Sequence, residues 1–172
     1  VDSLGKVLIE STLIPKKGKR DILRFSKEFV LDKEYDEVKY FGRINESYVD
    51  MKDYSLVKED IRKVKDMTEP NIRPQESGNR CDCKYAEFTN GIYKVRFTAL
   101  EETFELGVKP YSESELIKMK HNDDEVVSST YINICKFNKG IGTGACGPQT
   151  YKEYRYYPDK EYKLKFVIEV GK

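Results

Sequence analysis

The sequence contains no tryptophan and a single histidine, His121, in 172 residues. A histidine-dependent triad would have to be built on that one residue. Four cysteines are present, Cys81, Cys83, Cys135 and Cys146, and they do not fall into the paired spacings of a tetrahedral zinc site. No metal and no cofactor is expected. The same unpatterned cysteines suit a reducing, cytoplasmic setting. Charge of one sign is lacking too: 31 basic against 30 acidic residues leave +1, too little to draw in nucleic acid or an acidic membrane. No apolar run approaches the roughly 18 residues of a membrane span. The chain opens on Val1-Asp2-Ser3, without Met and without a charged-then-apolar signal segment, so a piece of a longer polypeptide is expected.

What the sequence does have is β-forming residues, among them 13 Tyr and 8 Phe. Residues 7–14, 22–31 and 38–41 read as strands separated by Pro, Gly and Lys-rich turns. The periodicity fades over residues 45–74, which read as a long charged surface excursion. Cys81, Cys83 and Tyr85 fall on one face of a strand pattern. Thr89-Asn90-Gly91 predicts a hairpin of the type I′ kind, with residues 92–99 as the return strand. Ser112 and Glu115 form a capping box for one short helix bearing Leu116 and Met119. Residues 126–137 and 151–157 predict two further strands. In residues 162–170, Tyr162, Leu164, Phe166, Ile168 and Val170 alternate with Lys163, Lys165 and Glu169, the mark of a half-exposed antiparallel strand. Many strands with one small helix predict an all-β, antiparallel β-sandwich.

Gly142-Thr143-Gly144-Ala145-Cys146-Gly147 matches the spacing of a dinucleotide fingerprint. That fingerprint needs a helix starting at its last glycines to face the pyrophosphate. Here Pro148 follows, and the remaining residues read as strands, so a ligand-shaping or purely structural loop is expected instead. Cys146 would need a neighbouring base to act as a nucleophile, and His121 is 25 positions away. A surface or hydrogen-bonded structural role is the simpler expectation for His121. The tyrosines of residues 151–157 could stack on sugars or bases, or pack at a rim.

Three stretches add a resemblance. Residues 73–80 (Arg-Pro-Gln-Glu-Ser-Gly-Asn-Arg) resemble a motif in the C-terminal domain of the glycoside hydrolase family 2 β-galactosidases. Residues 110–121, with Pro110-Tyr111-Ser112, Glu115-Leu116 and His121, resemble the next motif. Residues 140–148, leading to Glu153-Tyr154-Arg155, resemble the third, in the same order and spacing. Residues 40–48 are similar to a fourth, weaker one. The resemblance implies a large antiparallel sandwich of the galactose-mutarotase-like kind, a supersandwich. Residues 1–172 would be a single domain, the C-terminal part of that larger sandwich in a multidomain enzyme. In the family the catalytic glutamates of a retaining mechanism lie in a separate barrel upstream. Nothing in this sequence resembles that barrel, so no catalytic residue is expected here and the chain alone should be inactive.

The implied partners are the catalytic barrel of the same polypeptide and a galactoside sugar. A homo-oligomer is a further expectation, since a cut sandwich exposes edges. The glycine-rich loop reaches the sugar-site opening in the family, which implies a lining role for Gly144, Ala145, Cys146 and Gly147, with His121 in support. In the enterobacterial type of enzyme an aromatic platform sits on this loop; the matching position is Cys146, which has no stacking face. An Asp common on the preceding strand is replaced by Cys135, and a usual Gly-Pro by Ile44-Asn45. Both imply a divergent member whose substrate need not be lactose. Two rival readings remain: a stand-alone carbohydrate-binding module, which the lack of Trp disfavours, and an aldose epimerase, which a single His disfavours.

Overall fold

The computed structural model describes residues 5–16, 18–139 and 149–172. Within them lie ten strands: β1 (Val7–Leu13), β2 (Arg24–Leu31), β3 (Glu37–Arg43), β4 (Val57–Lys63), β5 (Arg80–Cys83), β6 (Tyr85–Thr89), β7 (Lys94–Ala99), β8 (Phe104–Lys109), β9 (Thr130–Asn138) and β10 (Tyr162–Gly171). One helix, α1 (Glu113–Lys118), follows β8. The strands form two antiparallel sheets, ordered β1-β10-β7-β6-β3-β4 and β2-β9-β8-β5. The all-β sandwich expected from the sequence is what the chain adopts. Among the described residues no helix is long and apolar enough to cross a membrane.

The core follows from side-chain alternation. Val38 and Tyr40 on β3, Ala86 and Phe88 on β6, Val95 and Phe97 on β7, and Leu164 and Phe166 on β10 point inward from the larger sheet. They meet Phe104, Leu106 and Val108 of β8 and Ile132 and Ile134 of β9. Phe97 holds an edge-on contact with Phe88 and tilted ones with Phe29 and Phe166. Such pairs contribute about 0.5–1.5 kcal/mol each beyond the area they bury. The outer face of the larger sheet is instead an ion-paired ladder, with Lys39 to Glu59, Arg96 to Glu87 and Lys165 to Glu10. That asymmetry is why β10 reads so cleanly as apolar-in, polar-out.

Several sequence expectations are corrected. Residues 45–74 are not one structureless excursion: they carry β4 at the sheet edge and a 3-10 turn, Val64–Asp66, that buries Val64 and Met67 in the core. Cys81, Cys83 and Tyr85 do not share a strand face. The chain leaves the smaller sheet after Cys83 and enters the larger one at Tyr85, with Lys84 N donating to the Phe41 carbonyl. Two features allow this crossing. Asp82 takes a positive φ of 59°, a costly conformation for a non-glycine, and is held there by Arg43 and Lys52. Gly42 lets β3 pass close by, since a Cβ there would stand 2.5 Å from the Cys83 sulfur.

The β6–β7 hairpin exists, but Thr89 pairs with Lys94, so its loop has four residues and is no type I′ turn. Asn90 organises it by accepting from Ile92 N and Tyr93 N through Oδ1. β9 starts at Thr130, and Val126 and Val127 before it are exposed. Residues 151–157 form no strand: Lys152–Tyr154 is a 3-10 turn. The capping box is as expected, with Glu115 N donating to Ser112 Oγ and Ser112 N to Glu115 Oε2. β8 is a central strand to which the sequence reading assigned nothing.

Candidate functional site

The residues nominated from the sequence, Gly144, Ala145, Cys146 and Gly147, lie outside the described residues. The chain enters that segment from Asn138 and Lys139 and returns at Gln149 and Thr150, and these flanks are firmly anchored. Lys139 N donates to the Leu23 carbonyl, and its ammonium pairs with Asp21 at 2.6 Å. Hydrogen bonding from Lys139, outweighing burial, holds the Asp21 carboxyl below its usual range. On the return side, Arg155 Nε donates to the Thr150 carbonyl at 2.6 Å.

His121 is not part of this region's hydrogen-bond network. Its side chain is more than half exposed, and Nδ1 accepts from Asp123 N, capping a 3-10 turn at Asn122–Asp124. The structural expectation for His121 therefore describes the geometry, and no contact ties it to the flanks of residues 140–148. The tyrosine rim is largely packed: Tyr156 stacks flat on Phe137, with centroids 3.8 Å apart and planes 7° apart, and both lean on Tyr162. Tyr151 alone of these stands well exposed. Cys81, Cys83 and Cys135 are free and buried, and burial pushes each thiol up, which makes them poor nucleophiles. Among the described residues no group of three or more His, Cys, Asp or Glu side chains is placed to hold a metal ion.

Among the described residues, the fold brings together three of the segments that carry the resemblance, 40–48, 73–80 and 110–121. Residues 40–48 and 73–80 are stitched side by side: Ser47 N donates to the Asn79 carbonyl, Asn79 Nδ2 to the Ser47 carbonyl, and Cys81 N to Ser47 Oγ. Glu46 Oε1 accepts from both Tyr48 Oη and Gly78 N. Gly78 has a φ of +80°, and a Cβ there would strike the Met67 carbonyl at 2.3 Å, so only glycine fits. On the outer face of the smaller sheet an ion chain then links the motifs: Lys109 to Glu76, Glu76 to Arg24, and Arg24 to Glu113 at the start of α1. Burial weakens the Arg24 charge, but the hydrogen bond it donates to Glu113, together with the negative charges of Glu113 and Glu76, outweighs burial and keeps the guanidinium firmly protonated. Lys109 is only 3% exposed, so this chain of charges is what makes its burial tolerable.

Beside the chain lies an open cleft of about 540 Å³, lined by Leu23, Arg24, Glu76, Glu113, Ile117 and Asn138 with Leu116. Asn138 is two residues before the undescribed segment, so the cleft sits at its root. The sequence missed Arg24, Glu76, Lys109 and Glu113 as a group because they come from four separated segments. A usable signal was present, since Lys109 alternates with Val108 in a strand-like run directly before the Pro110-Tyr111-Ser112 motif.

A second buried group stands on the same sheet face. Glu105 of β8 directly faces Cys135 of β9 across the ladder. Its Oε2 accepts from Asn79 Nδ2 at 2.8 Å and from Asn138 N at 3.0 Å. Burial dominates and pushes the Glu105 carboxyl up to about 7, against the lowering effect of those two donors.

Comparison with known proteins fits this geometry. Residues 1–168 match the family model described as "Beta galactosidase small chain". The chain is 32% identical to a β-galactosidase of Staphylococcus xylosus over 149 residues, covering 84% of this chain and 15% of that protein. It is 30% identical to a β-galactosidase of Actinobacillus pleuropneumoniae over 167 residues, 95% of this chain and 16% of that protein. Against a β-galactosidase of Priestia megaterium the identity is 27% over 169 residues, 96% and 16% of the two chains. The chain thus spans about a sixth of the length of these relatives. With a match over nearly its whole length, the chain belongs to the β-galactosidase small chain family.

Proposed function

We propose that this chain is the non-catalytic, C-terminal sandwich portion of a β-galactosidase-type glycoside hydrolase, acting in the cytoplasm. It packs beside a catalytic barrel of the same polypeptide and closes one side of a galactoside site with residues 140–148. The observation that carries this reading is the convergence of the motif segments, through Glu76, Glu113, Asn138 and Arg24, at the root of that segment. A rigid, ion-paired base of this kind is what a substrate-lining loop requires if it is to hold its contacts to a fraction of an ångström. In this reading the acid–base chemistry of glycoside cleavage belongs to the barrel.

The open side of the sandwich supports the placement within a larger domain. On β1 the inward residues Val7, Ile9 and Leu13 are only half-buried, and on β2 Phe29 and Leu31 are likewise. β1 and β2 are edge strands of their two sheets, and further strands of the same polypeptide would continue both sheets there. The direct test is removal of Gly144–Gly147 from a polypeptide that contains both barrel and this chain. A raised KM for a nitrophenyl β-galactoside, with the barrel's fold intact, is expected. An unchanged KM and kcat would overturn the lining role.

A further inference from the structure

A pocket of about 480 Å³ stands over Glu105, and the reading above gives it no task. Its lining includes Lys52, Asp82, Glu102, Glu105, Lys136 and Tyr156. Glu105 is 8% exposed. Both of its hydrogen bonds end on Oε2, and among the described residues no donor reaches Oε1. With Oε2 taken by both donors and Glu105 on the pocket lining, the accepting capacity of Oε1 is left for an occupant.

The rest of the lining defines what that occupant is. Lys52 is paired with Asp82 at 2.8 Å, and Lys136 is paired with Glu102. Arg43 is a second cation on Asp82 and offsets the charge of an ionised Glu105, while each ammonium keeps donors beyond its own partner. Tyr156, fixed flat against Phe137, gives a rigid aromatic side. A lining with many donors and acceptors and little net field suits a neutral molecule rich in hydroxyl groups, and offers an anion or a cation no surplus of opposite charge.

We propose that this pocket binds a neutral polyhydroxylic small molecule, with a ligand hydroxyl donating to Glu105 Oε1 and with Lys52 and Lys136 donating to other ligand oxygens. The proposal does not depend on the role of residues 140–148. A hydroxyl donor favours the carboxylate over the acid, so binding draws the proton from Glu105 and tightens as pH rises through neutrality. The other groups that face Glu105 do not titrate there. Although burial works against it, hydrogen bonds from Lys52 and Arg43 hold the Asp82 carboxyl below its usual range. Burial keeps the Cys81 and Cys135 thiols and the Tyr156 phenol neutral.

The test is an NMR titration of the chain with myo-inositol, read at the Asn138 N–H and the Asn79 side-chain amide, the two donors to Glu105. Saturable shifts with a dissociation constant of roughly millimolar size, tightening several-fold from about pH 6 to about pH 8, are expected. Glu105→Gln should weaken binding about tenfold at the higher pH and abolish the pH dependence. Lys136→Met, at the exposed rim, should weaken binding a few-fold and leave the pH dependence in place. The proposal is overturned by shifts that do not saturate up to about 200 mM, or by equal binding in Glu105→Gln. It is equally overturned if inorganic phosphate or ethylammonium saturates the same signals at lower concentration.

Discussion

Replacing Glu105 by Gln should make the chain more stable at alkaline pH and leave it almost unchanged in mild acid. The carboxyl is pushed up to about 7 from an ordinary 4.5. Between those values the folded chain holds a proton that the unfolded chain has released. Stability from this group is therefore complete below about pH 4.5 and is lost as pH rises through about 7. At about 1.4 kcal/mol per pH unit, the gap corresponds to about 3 kcal/mol, an upper figure for a group whose neighbours can relax. Gln keeps an oxygen for Asn79 Nδ2 and Asn138 N and carries no charge. Urea unfolding of both chains at pH 5, 6, 7 and 8, with an unchanged slope against denaturant, isolates the effect because every other titrating group is shared. The expected difference is under about 1 kcal/mol at pH 5 and about 3 kcal/mol in favour of Gln at pH 8. Parallel profiles across the range would refute the reasoning, since they would mean that Glu105 ionises in the folded chain as freely as in water.

Further outcomes follow from the local geometry. Gly78→Ala must strain a φ of +80° and drive a Cβ against the Met67 carbonyl oxygen, so a loss of about 3 kcal/mol or more is expected in denaturant unfolding. Ser112→Ala removes the acceptor for Glu115 N and half of the capping box, which should cost about 1 kcal/mol and appear as a small drop in Tm. In the native chain Cys81, Cys83 and Cys135 should resist iodoacetamide at pH 8 and react after unfolding in urea, as mass spectrometry would register; prompt native labelling of Cys135 would contradict its burial between β2 and β8.

Much of the fold was written in the alternation of apolar and polar residues, and the failures have physical causes. β10 was legible because one of its faces meets the core and the other meets water. Ser112 and Glu115 were legible because a capping box is a purely local device. β4 was not, because Val-Lys-Glu-Asp-Ile-Arg-Lys lies at a sheet edge and carries charge on both faces, as edge strands do. The tyrosines of residues 151–157 have high strand propensity, yet Tyr156 is fixed by stacking on Phe137 and not by a ladder. β8 reads as a half-exposed strand, Phe-Glu-Leu-Gly-Val-Lys, although both of its faces are buried. That mismatch hides Glu105 and Lys109, because a charge in an alternating pattern looks like a solvent contact. The family likeness was legible as spaced motifs, whereas the ion chain joining Lys109, Glu76, Arg24 and Glu113 needed three dimensions. Its members come from segments as far apart as β2 and α1.

The central claim is that this chain completes a galactoside site whose chemistry lies elsewhere. It is tested most directly by adding the purified chain to a β-galactosidase from which the matching stretch, about a sixth of its length, has been removed. Hydrolysis of a nitrophenyl β-galactoside is followed for each component and for the mixture. No turnover by the chain alone and restored turnover in the mixture, lost again on deletion of Gly144–Gly147, is the predicted result. Turnover by the chain alone that vanishes on substitution of one of its own carboxylates would contradict the account.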